Sequence, residues 1–416
     1  MNLKLIRENP DEVRKILELR RFKHDLDRIL ELDSQRRTLS QERDDVRHEQ
    51  KTISEQISQK KRERVECPEQ VTEAKQLSER VKELDSRLTQ IETELETSAR
   101  ALPNRVHESV TAEEETVAEW GEVPKFEFEP LAHWDLGASL GVIDLEAAAR
   151  LAGSRFVVFK GAGALLERAL MNYFLDTNVR RHGYTEIAPP ALANAATLEA
   201  TGQLPHLETE MYATRDDQLY LVPTAEPQLV NYHRGQTIPE SSLPLKYVAY
   251  TPCFRREAGS YGKDVRGMIR VHQFDKVEIV RIVRPEESYQ ALEEMRAEAE
   301  SLLRDLGLPY RAKRLAAWDI AFQSAKTYDL EAWSAGAGRW LEVSSASNCE
   351  DYQTRRGGIR VRKDDGKTFH PHALNCSALA LPRIFVAILE NNQQADGSVV
   401  VPEVLRPYMN GLERIV

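Results

Sequence analysis

The sequence has no long apolar run. Nowhere does it approach the roughly 20 consecutive apolar residues that a helix needs to cross a bilayer. Its start, MNLKLIRENP, alternates charged with apolar residues and lacks the apolar core of a secretory leader. With 416 residues, 30% of them charged, the composition is typical of a water-soluble protein of two or three domains. We therefore expect a soluble protein with no membrane partner.

Cysteine is also scarce, and acidic residues outnumber basic ones. The four cysteines, Cys67, Cys253, Cys349 and Cys376, form no C-x-x-C pair. This argues against a disulfide framework and against a zinc site, and it indicates the cytosol. The formal net charge is -10, so the chain as a whole repels nucleic acid, and any nucleic-acid binding has to use a local basic patch.

The first hundred residues contain heptad repeats instead. Apolar residues recur every seven positions along two seams in one segment and along one seam in an earlier segment. The later seams are Leu77, Leu84, Ile91 and Val81, Leu88, Leu95, Leu102; the earlier one is Leu32, Leu39, Val46, Ile53. Pro68 lies between the segments, and proline cannot continue a helix interior. The pattern predicts that residues 1–102 form an antiparallel coiled-coil hairpin.

The hairpin has a basic stretch near its predicted tip. Residues 36–64 contain nine Lys or Arg against six Asp or Glu, and the tip reads KKRER. An isolated heptad segment is most often a solvated coiled coil or a dimerisation rod. A surface that lays basic side chains along a phosphate backbone is the alternative. Periodicity is compatible with both interpretations.

A change of composition separates this arm from the rest. Residues 103–130 contain three prolines, and residues 108–122 carry six glutamates with no Lys or Arg, which predicts a linker. From about residue 131 to 416, helical segments alternate with β-branched runs such as KYVAY and VEIVRIV. There is no regular βαβ spacing and no G-x-G-x-x-G. We expect an α+β fold with a mainly antiparallel sheet in this domain.

One stretch on that sheet stands out, FRREAGSYGKDVRGMIRVHQFDKVEIV at residues 254–280. We interpret YVAYTPCF and MIRVHQFDKVEIV as paired strands joined by a loop that holds Gly259, Gly262 and Gly267. The two-residue period puts Arg270, His272, Phe274, Lys276 and Glu278 on one face, and Ile269, Val271, Val277 and Ile279 on the core face. A solvent-exposed face explains the charges but not Phe274. A flat heterocycle on that ring, with cations nearby for its phosphates, explains both.

These residues resemble a known family. F-R-x-E, a glycine-bearing loop and H-Q-F-x-K-x-E resemble motif 2 of the class II aminoacyl-tRNA synthetases, and the whole stretch is similar to the seryl-tRNA synthetases. Residues 180–192, with Pro190, resemble motif 1, and residues 374–409 resemble motif 3 with its Arg383. Residues 221–229, 326–333 and 341–356 resemble further seryl-specific segments. The resemblance covers nearly the whole chain, including a tRNA-binding arm.

The resemblance implies a nucleotide site. Arg255 and Arg383 would be the catalytic residues, the first facing the α-phosphate and the substrate carboxylate, the second facing the far phosphates. Phe274 would stack on adenine, and Glu342 and Ser345 would hold Mg²⁺. The full set that it assigns to ATP is Arg255, Arg256, Glu257, Val271, His272, Gln273, Phe274, Glu342, Val343, Ser344, Ser345 and Arg383.

The resemblance also implies a serine site. Thr224 and Glu226 would face the amino group, and Glu278 and Ser377 would face the hydroxyl. The complete L-serine set is Thr224, Ala225, Glu226, Arg255, Glu278, Asn375 and Ser377. Each has a structural alternative: Thr224 and Ser377 are suited to capping helices, and Asn375 to a turn.

The implied activity is that of a cytosolic serine–tRNA ligase in protein biosynthesis. It would form seryl adenylate from L-serine, ATP and Mg²⁺, and would charge tRNA(Ser) as a homodimer. It would also charge tRNA(Sec) where the organism has one. Motif 3 departs from the usual glycines at Cys376, Ala378 and Pro382, which marks a subgroup. Two alternatives stay open: a synthetase-like ligase that loads an amino acid onto a carrier protein, whose known forms lack a long arm, and a catalytically silent coiled-coil binding protein.

Overall fold

The computed structural model describes residues 1–257 and 266–416 and divides into two compact units, Met1–Arg105 and Val106–Val416. The first unit is helical, and the second is built on a mainly antiparallel sheet with helices packed on it. The predicted α+β fold class, a helical hairpin followed by a sheet domain, is confirmed. In the part of the chain that is described, no helix combines the length and apolar character required to span a bilayer.

Two long antiparallel helices make up most of the first unit. Its helices are α1 Leu3–Glu8, α2 Pro10–Leu19, α3 Leu26–Arg62 and α4 Pro68–Arg100. The 37 residues of α3 span about 55 Å at the helical rise. Asp25 caps α3 by accepting a hydrogen bond from the Arg28 amide, and Pro68 is the first residue of α4, where its missing N–H costs no hydrogen bond.

The heptad seam is buried most deeply toward the base of this hairpin. Leu39, Leu84 and Leu88 pack together as a buried cluster, whereas Val46 and Ile53, nearer the tip, are only partly buried. Ion pairs flank the seam where its second row is polar. They join Arg28 to Glu94, Arg47 to Asp85 and Arg80 to Glu42.

The second unit contains the remaining elements. Its helices are α5 His133–Ser139, α6 Leu145–Ala152, α7 Ala162–Arg180, α8 Ala195–Thr201, α9 Glu226–Asn231, α10 Ser288–Asp305, α11 Tyr352–Arg356 and α12 Leu381–Asn391. Its strands are β1 Glu115–Trp120, β2 Thr185–Glu186, β3 Leu192–Asn194, β4 Leu219–Leu221, β5 Thr237–Pro239, β6 Leu245–Phe254, β7 Gln273–Val283, β8 Tyr310–Arg314, β9 Lys326–Ser334, β10 Arg339–Asn348, β11 Arg360–Arg362, β12 Thr368–Phe369, β13 His372–Ala380, β14 Val399–Val400 and β15 Arg414–Ile415.

The main sheet has the order β1-β8-β9-β10-β13-β7-β6-β2. Neighbouring strands are antiparallel except for the parallel pair β2 and β6 at one edge. The register places Glu278 of β7 opposite Ser377 of β13, and Asp329 of β9 opposite Ser345 of β10. Small sheets β12-β11-β5, β14-β15 and β3-β4 lie beside it.

Strand β7 shows how the sheet separates core from site. Val277 and Ile279 are fully buried in the large apolar core, to which helices α7, α10 and α12 contribute. Lys276 and Glu278 alternate with them and therefore point to the opposite face of the sheet. The core side of the sheet thus fixes the register of the polar side chains on the other side.

Strand β7 is shorter than the sequence predicts. It begins at Gln273, so Met268–His272 are not strand. The reason is that amides in this segment bond outside the β6 and β7 ladder: the Met268 amide donates to His133 Nε2, and the His272 amide donates to the Arg155 carbonyl. Of the loop glycines, Gly267 is described, and Gly259 and Gly262 lie outside the described residues.

The stretch predicted as a linker, residues 103–130, contains part of the sheet. Strand β1 pairs with β8 along its length, and this corrects the prediction that the sheet domain begins at residue 131. The glutamates that indicated a linker find cations on the neighbouring strand. Lys313 Nζ lies 2.7 Å from Glu114 Oε1, and Arg314 lies 3.3 Å from Glu115 Oε2. An acidic run can therefore form an edge strand beside a basic one.

All four cysteines are buried, and none of them forms a disulfide. Cys253, Cys349 and Cys376 are inaccessible to solvent, and Cys67 is 7% exposed. Burial raises the pKa of the Cys376 thiol to about 12, as expected for a packed and unreactive side chain.

Candidate active site

A cavity of about 470 Å³ lies on the polar face of β7, β10 and β13. Most of the residues that the sequence assigns to a site line this cavity. They are Thr224, Glu226, Arg255, Glu257, Val271, Phe274, Glu278, Glu342, Val343, Ser344, Ser345, Asn375, Ser377 and Arg383. Residues more than 150 positions apart in the chain therefore converge on one volume.

Four of the assigned residues do not line it. Ala225 is buried in an apolar cluster with helix α9. The Arg256 guanidinium lies 6.0 Å from the centre of the Tyr212 ring. His272 donates from Nδ1 to the Arg255 carbonyl at 3.1 Å, and the Gln273 side chain is exposed. These four residues are sequence neighbours of residues that line the cavity, but their own side chains do not enter it.

Glu226 lies at one end of the cavity, surrounded by amides. Gln353 Nε2 donates to Glu226 Oε1 at 2.6 Å, and Asn375 Nδ2 donates to the same oxygen at 3.0 Å. Gln203 Nε2 donates to Oε2 at 3.3 Å. Burial raises the pKa of Glu226 to about 7, and the Glu278 carboxylate adds to the rise while Gln353 opposes it. Neutral donors thus orient a carboxyl group that lacks a full counter-charge.

A second polar group forms around Glu278. Lys276 Nζ lies 2.6 Å from Glu278 Oε2, and both side chains are almost completely buried. Ser377 donates its hydroxyl to the same carboxylate oxygen at 3.2 Å and accepts from Lys276 Nζ at 3.3 Å. The three side chains form a compact set of donors and acceptors to which a ligand hydroxyl group can hydrogen-bond.

The structure also tests the structural alternatives for Ser377, Asn375 and Thr224. Ser377 lies inside β13, and α12 begins four residues later at Leu381 with Ala380 as its N-cap, so Ser377 does not cap that helix. Asn375 also lies in β13, which contradicts its interpretation as a turn residue. The Thr224 hydroxyl does accept a hydrogen bond from the Glu226 amide at 3.3 Å, at the start of α9.

The other end of the cavity carries an aromatic ring and arginines. The Arg255 guanidinium lies 5.2 Å from the centre of the Phe274 ring, within range of a cation–π contact. Glu257 Oε2 lies 3.4 Å from Arg270. Arg383 donates to the Glu342 carbonyl at 2.7 Å and lies 3.5 Å from its carboxylate. A ring beside separated arginines suits a nucleotide, which has one flat end and one charged end.

A carboxylate missed by the sequence lies next to Glu342 and Ser345. Burial raises the pKa of Asp329 to about 8, and the Glu342 carboxylate adds to this, while a hydrogen bond with Ser345 opposes it. Asp329 Oδ1 is buried without a hydrogen-bond partner. Two neighbouring carboxylates and a hydroxyl are hard oxygen donors, so this group fits Mg²⁺. Among the described residues, no cluster of three or more His, Cys, Asp or Glu side chains forms a metal site.

Other polar residues in or beside the cavity were given no role by the sequence. The two-residue period placed Lys276 on the same face as Glu278 but did not indicate the ion pair between them. Gln203 and Gln353 follow or form short helices far apart in the chain. Nothing in their local sequence indicates that they meet at Glu226.

Two family models match the chain. The seryl-tRNA synthetase N-terminal domain matches residues 1–106, and the tRNA synthetase class II core domain (G, H, P, S and T) matches residues 208–392. Together they account for the arm and for the part of the sheet domain that contains most of the cavity.

Full-length relatives agree with these models. The serine–tRNA ligase of Syntrophobacter fumaroxidans is 47% identical over 100% of both chains, and that of Geobacter sulfurreducens is 46% identical over 100% of both. The solved structure of seryl-tRNA synthetase from Pyrococcus horikoshii complexed with ATP is 35% identical with a TM-score of 0.95. It covers 100% of this chain and 99% of that chain.

Proposed function

The chain belongs to the seryl-tRNA synthetase family, and we propose that it activates L-serine with ATP in this cavity and then transfers the seryl group to tRNA. The observation that carries the proposal is the pairing, in one cavity, of a serine-sized polar group around Glu278 with an arginine-rich end beside Phe274. Relatives that match the full length, arm included, are serine–tRNA ligases. This disfavours a carrier-protein ligase.

Activation requires positioning rather than a general base. The serine carboxylate is already ionised; its oxygen attacks the α-phosphorus of ATP, and the bond to pyrophosphate breaks. Charge builds up on the phosphate oxygens during this step, and a fixed guanidinium stabilises it. Arg255 would contact the α-phosphate and the serine carboxylate, and Arg383 the departing phosphates. In the second step a hydroxyl of the terminal adenosine of tRNA attacks the carbonyl carbon of the adenylate, and AMP leaves.

Serine would lie between Glu226 and Glu278. Its ammonium would bind Glu226 and the Thr224 hydroxyl, where the amides of Gln353 and Asn375 already orient the carboxylate. Its hydroxyl would bind Glu278 and Ser377. Because Lys276 already neutralises Glu278, the hydroxyl would be recognised through hydrogen bonds rather than through net charge, and alanine would leave these groups unsatisfied.

Adenine would stack on Phe274, with Glu257 and Val271 at its edge and Val343 and Ser344 along the cavity wall. Arg256, His272 and Gln273 would contribute through the backbone of motif 2, since their side chains lie outside the cavity. Glu342 and Ser345 would hold Mg²⁺, and the Asp329 carboxyl beside them would offer a further oxygen ligand. The bound ion would neutralise part of the charge on the ATP phosphates.

The remaining partners follow from the family. The arm would bind tRNA(Ser), and tRNA(Sec) where the organism has one. A homodimer would form across motif 1, where β2 is the edge strand of the main sheet among the described residues, and such edges are usually covered. The buried free thiols are consistent with a reducing cytosol.

Serine-dependent exchange of pyrophosphate into ATP tests the proposal. We expect exchange with wild-type protein and serine, and a loss of at least about 1,000-fold in the Arg255→Ala variant, since that arginine would serve both reacting groups. Arg360→Ala removes the same charge from the exposed strand β11 and is the control. Absence of exchange in the wild type would refute the function, and near-normal exchange in Arg255→Ala would refute the placement of Arg255.

A further inference from the structure

His133 lies outside the cavity, fully buried at the start of α5. Its Nδ1 is 2.8 Å from Glu390 Oε1, near the end of α12, and its own backbone amide donates to the same oxygen at 2.9 Å. The other carboxylate oxygen, Oε2, accepts from the Gly336 amide at 2.9 Å and from the Ser334 hydroxyl. Burial acts to raise the pKa of Glu390, but hydrogen bonds from His133 and Ser334 outweigh it and leave the pKa below its ordinary value. Glu390 is therefore an anionic acceptor.

The hydrogen bonds fix the tautomer of His133. The Met268 amide lies 3.0 Å from Nε2, and because an amide N–H can only donate, Nε2 must present its lone pair. The ring proton is then on Nδ1 and is donated to Glu390. The result is a directional chain from the Met268 amide through a neutral imidazole to a carboxylate.

At its Met268 end, this series of hydrogen bonds reaches the segment that follows the motif 2 loop. A Cβ at Gly267 would lie 2.1 Å from His133 Nε2, and Gly267 has φ +72°, so only glycine permits this approach. The next residue but one, Ile269, lines the cavity, and its carbonyl accepts from Arg383 Nε at 3.2 Å.

Helix α12 therefore holds the segment 267–269 at two places. Arg383 contacts it directly, and Glu390 contacts it through His133. Because these two residues are seven positions apart, they lie on the same face of the helix, about 10 Å from each other along its axis. Arg270 and Val271, which continue the segment, also line the cavity.

We propose that His133 is a positioning residue for ATP: by accepting from Met268 and donating to Glu390, it holds residues 267–271 in the place where they shape the nucleotide end of the cavity. This inference rests on the proposed function for its ligand, but the hydrogen bonds that carry it are independent of that function. An apolar residue of similar volume would fill the space but leave the Met268 amide without its acceptor and remove one of the donors to Glu390.

Two variants separate the two bonds of the imidazole. In His133→Asn the amide nitrogen occupies the place of Nδ1 and keeps the bond to Glu390, but nothing reaches Met268. In His133→Gln the longer side chain brings its carbonyl oxygen to the place of Nε2, where it accepts from the Met268 amide. We expect Asn to lower kcat/KM for ATP in pyrophosphate exchange by about 10- to 100-fold, as for a slightly misplaced site, with KM for serine within about twofold. We expect His133→Gln to keep kcat/KM for ATP close to the wild-type value.

Hydrogen–deuterium exchange of the ligand-free protein provides a readout without activity. The Met268 amide should lose protection in His133→Asn and retain it in His133→Gln, with a peptide from β9 unchanged in both. Gly267→Ala is the second variant, because its added methyl would meet His133 Nε2 and push the segment away from the imidazole, while His133 and Glu390 themselves are unchanged. It should reproduce the ATP-specific loss even if the His133 variants do not fold.

Several outcomes would overturn the proposal. It fails if His133→Asn has normal ATP kinetics and Met268 protection, or if Gly267→Ala leaves the kinetics for ATP unchanged. If kcat/KM falls equally for serine and for ATP, and amide exchange becomes faster across the whole sheet unit, the role of His133 is purely structural. A wild-type protein without serine-dependent exchange would instead refute the proposed function, and the amide exchange of Met268 would still test the contact.

Discussion

Glu226 is a buried carboxyl group held by hydrogen bonds from neutral side chains. Its donors include the side-chain amides of Gln203, Gln353 and Asn375, which hold its orientation but compensate only partly for burial. Its pKa of about 7 expresses that balance, since desolvation disfavours the ionised form. A cationic ligand would complete the arrangement, which is the role we propose for the ammonium of serine.

We therefore expect serine binding to improve as pH rises through about 7. Below this pH Glu226 is mostly protonated and cannot pair with an ammonium; above it the carboxylate can. KM for serine should fall roughly tenfold between pH 6 and pH 7.5, following the ionised fraction, and KM for ATP should change much less. Pyrophosphate exchange at several pH values measures both constants.

Glu226→Gln is the matched variant for this pH dependence. It keeps the shape and a hydrogen-bonding side chain but cannot ionise, so its KM for serine should be high and nearly independent of pH. The same pH dependence in the variant as in the wild type would mean that another group titrates.

For single residues, the sequence predicts a shared position in the site only where the residues belong to one regular element, whose repeat fixes which side chains lie on the same face. Phe274 and Glu278 are two steps of a two-residue period apart on β7, so their common face follows from the pleat. Gln353 meets Glu226 only because α11 and α9 pack on the same side of the sheet, and no local pattern encodes that encounter. Ser377 was ambiguous for the same reason: its partner Glu278 lies on a neighbouring strand 99 positions away.

Among the elements, the α3 and α4 hairpin changes character along its length. Near the base it is closed by buried leucines and ion pairs, and its tip carries Lys60, Lys61 and Arg62 in the last turn of α3. In the described part of the chain no ion pair involves these three residues. A rod built for dimerisation would keep an apolar seam to its end, whereas a basic tip is suited to phosphates.

Shortening the arm should separate the two reactions. We would replace residues 49–78 by a short glycine-serine turn, which removes the tip but keeps Leu39, Leu84 and Leu88. Serine-dependent pyrophosphate exchange should stay within about twofold of wild type, and tRNA charging at limiting tRNA should fall at least tenfold through lost phosphate contacts. If the shortened protein charges tRNA fully, the arm is instead a solvated coiled coil or a dimerisation rod.

Element boundaries were harder to predict than element types. The alternation around Phe274 correctly indicated a strand but extended it back to Met268, because periodicity does not reveal that the Met268 amide is taken by His133. The acidic run before residue 122 indicated a linker because its partners, Lys313 and Arg314, are about 200 positions away. In both cases a long-range contact outweighed the local pattern.

Over the whole molecule, charge is distributed unevenly. Residues 1–105 carry 23 Lys and Arg against 23 Asp and Glu, so the remaining residues carry 34 against 44 and hold the entire net charge of -10. The arm unit is therefore neutral, with a basic tip, and the sheet unit repels a polyanion. Binding of tRNA has to overcome that repulsion through a small number of basic contacts.

We expect tRNA binding to weaken steeply with salt. Each phosphate contact contributes about 0.7–0.9 to the slope of log Kd against log salt concentration. Reversing the charge of Lys60, Lys61 and Arg62 should reduce that slope by about two to three. The same reversal at Arg360, Arg362 and Lys363 on and after β11 is the control and should leave the slope unchanged. Filter binding at several salt concentrations measures it, and equal slopes in wild type and tip variant would exclude the tip as the contact.

The burial of every thiol has a practical consequence for optical work on this protein. A maleimide dye reacts with an accessible thiolate, and none of the four native cysteines offers one in the folded state. Cys349 accepts a hydrogen bond from Asn375, and Cys376 lies 3.5 Å from the Ser344 hydroxyl, so replacing them to make a cysteine-free background would disturb the cavity. Such a background is unnecessary: a single cysteine introduced at exposed Val65, beside the basic tip, would be labelled selectively, and a fluorophore there would report the arrival of tRNA while the native thiols remain in place.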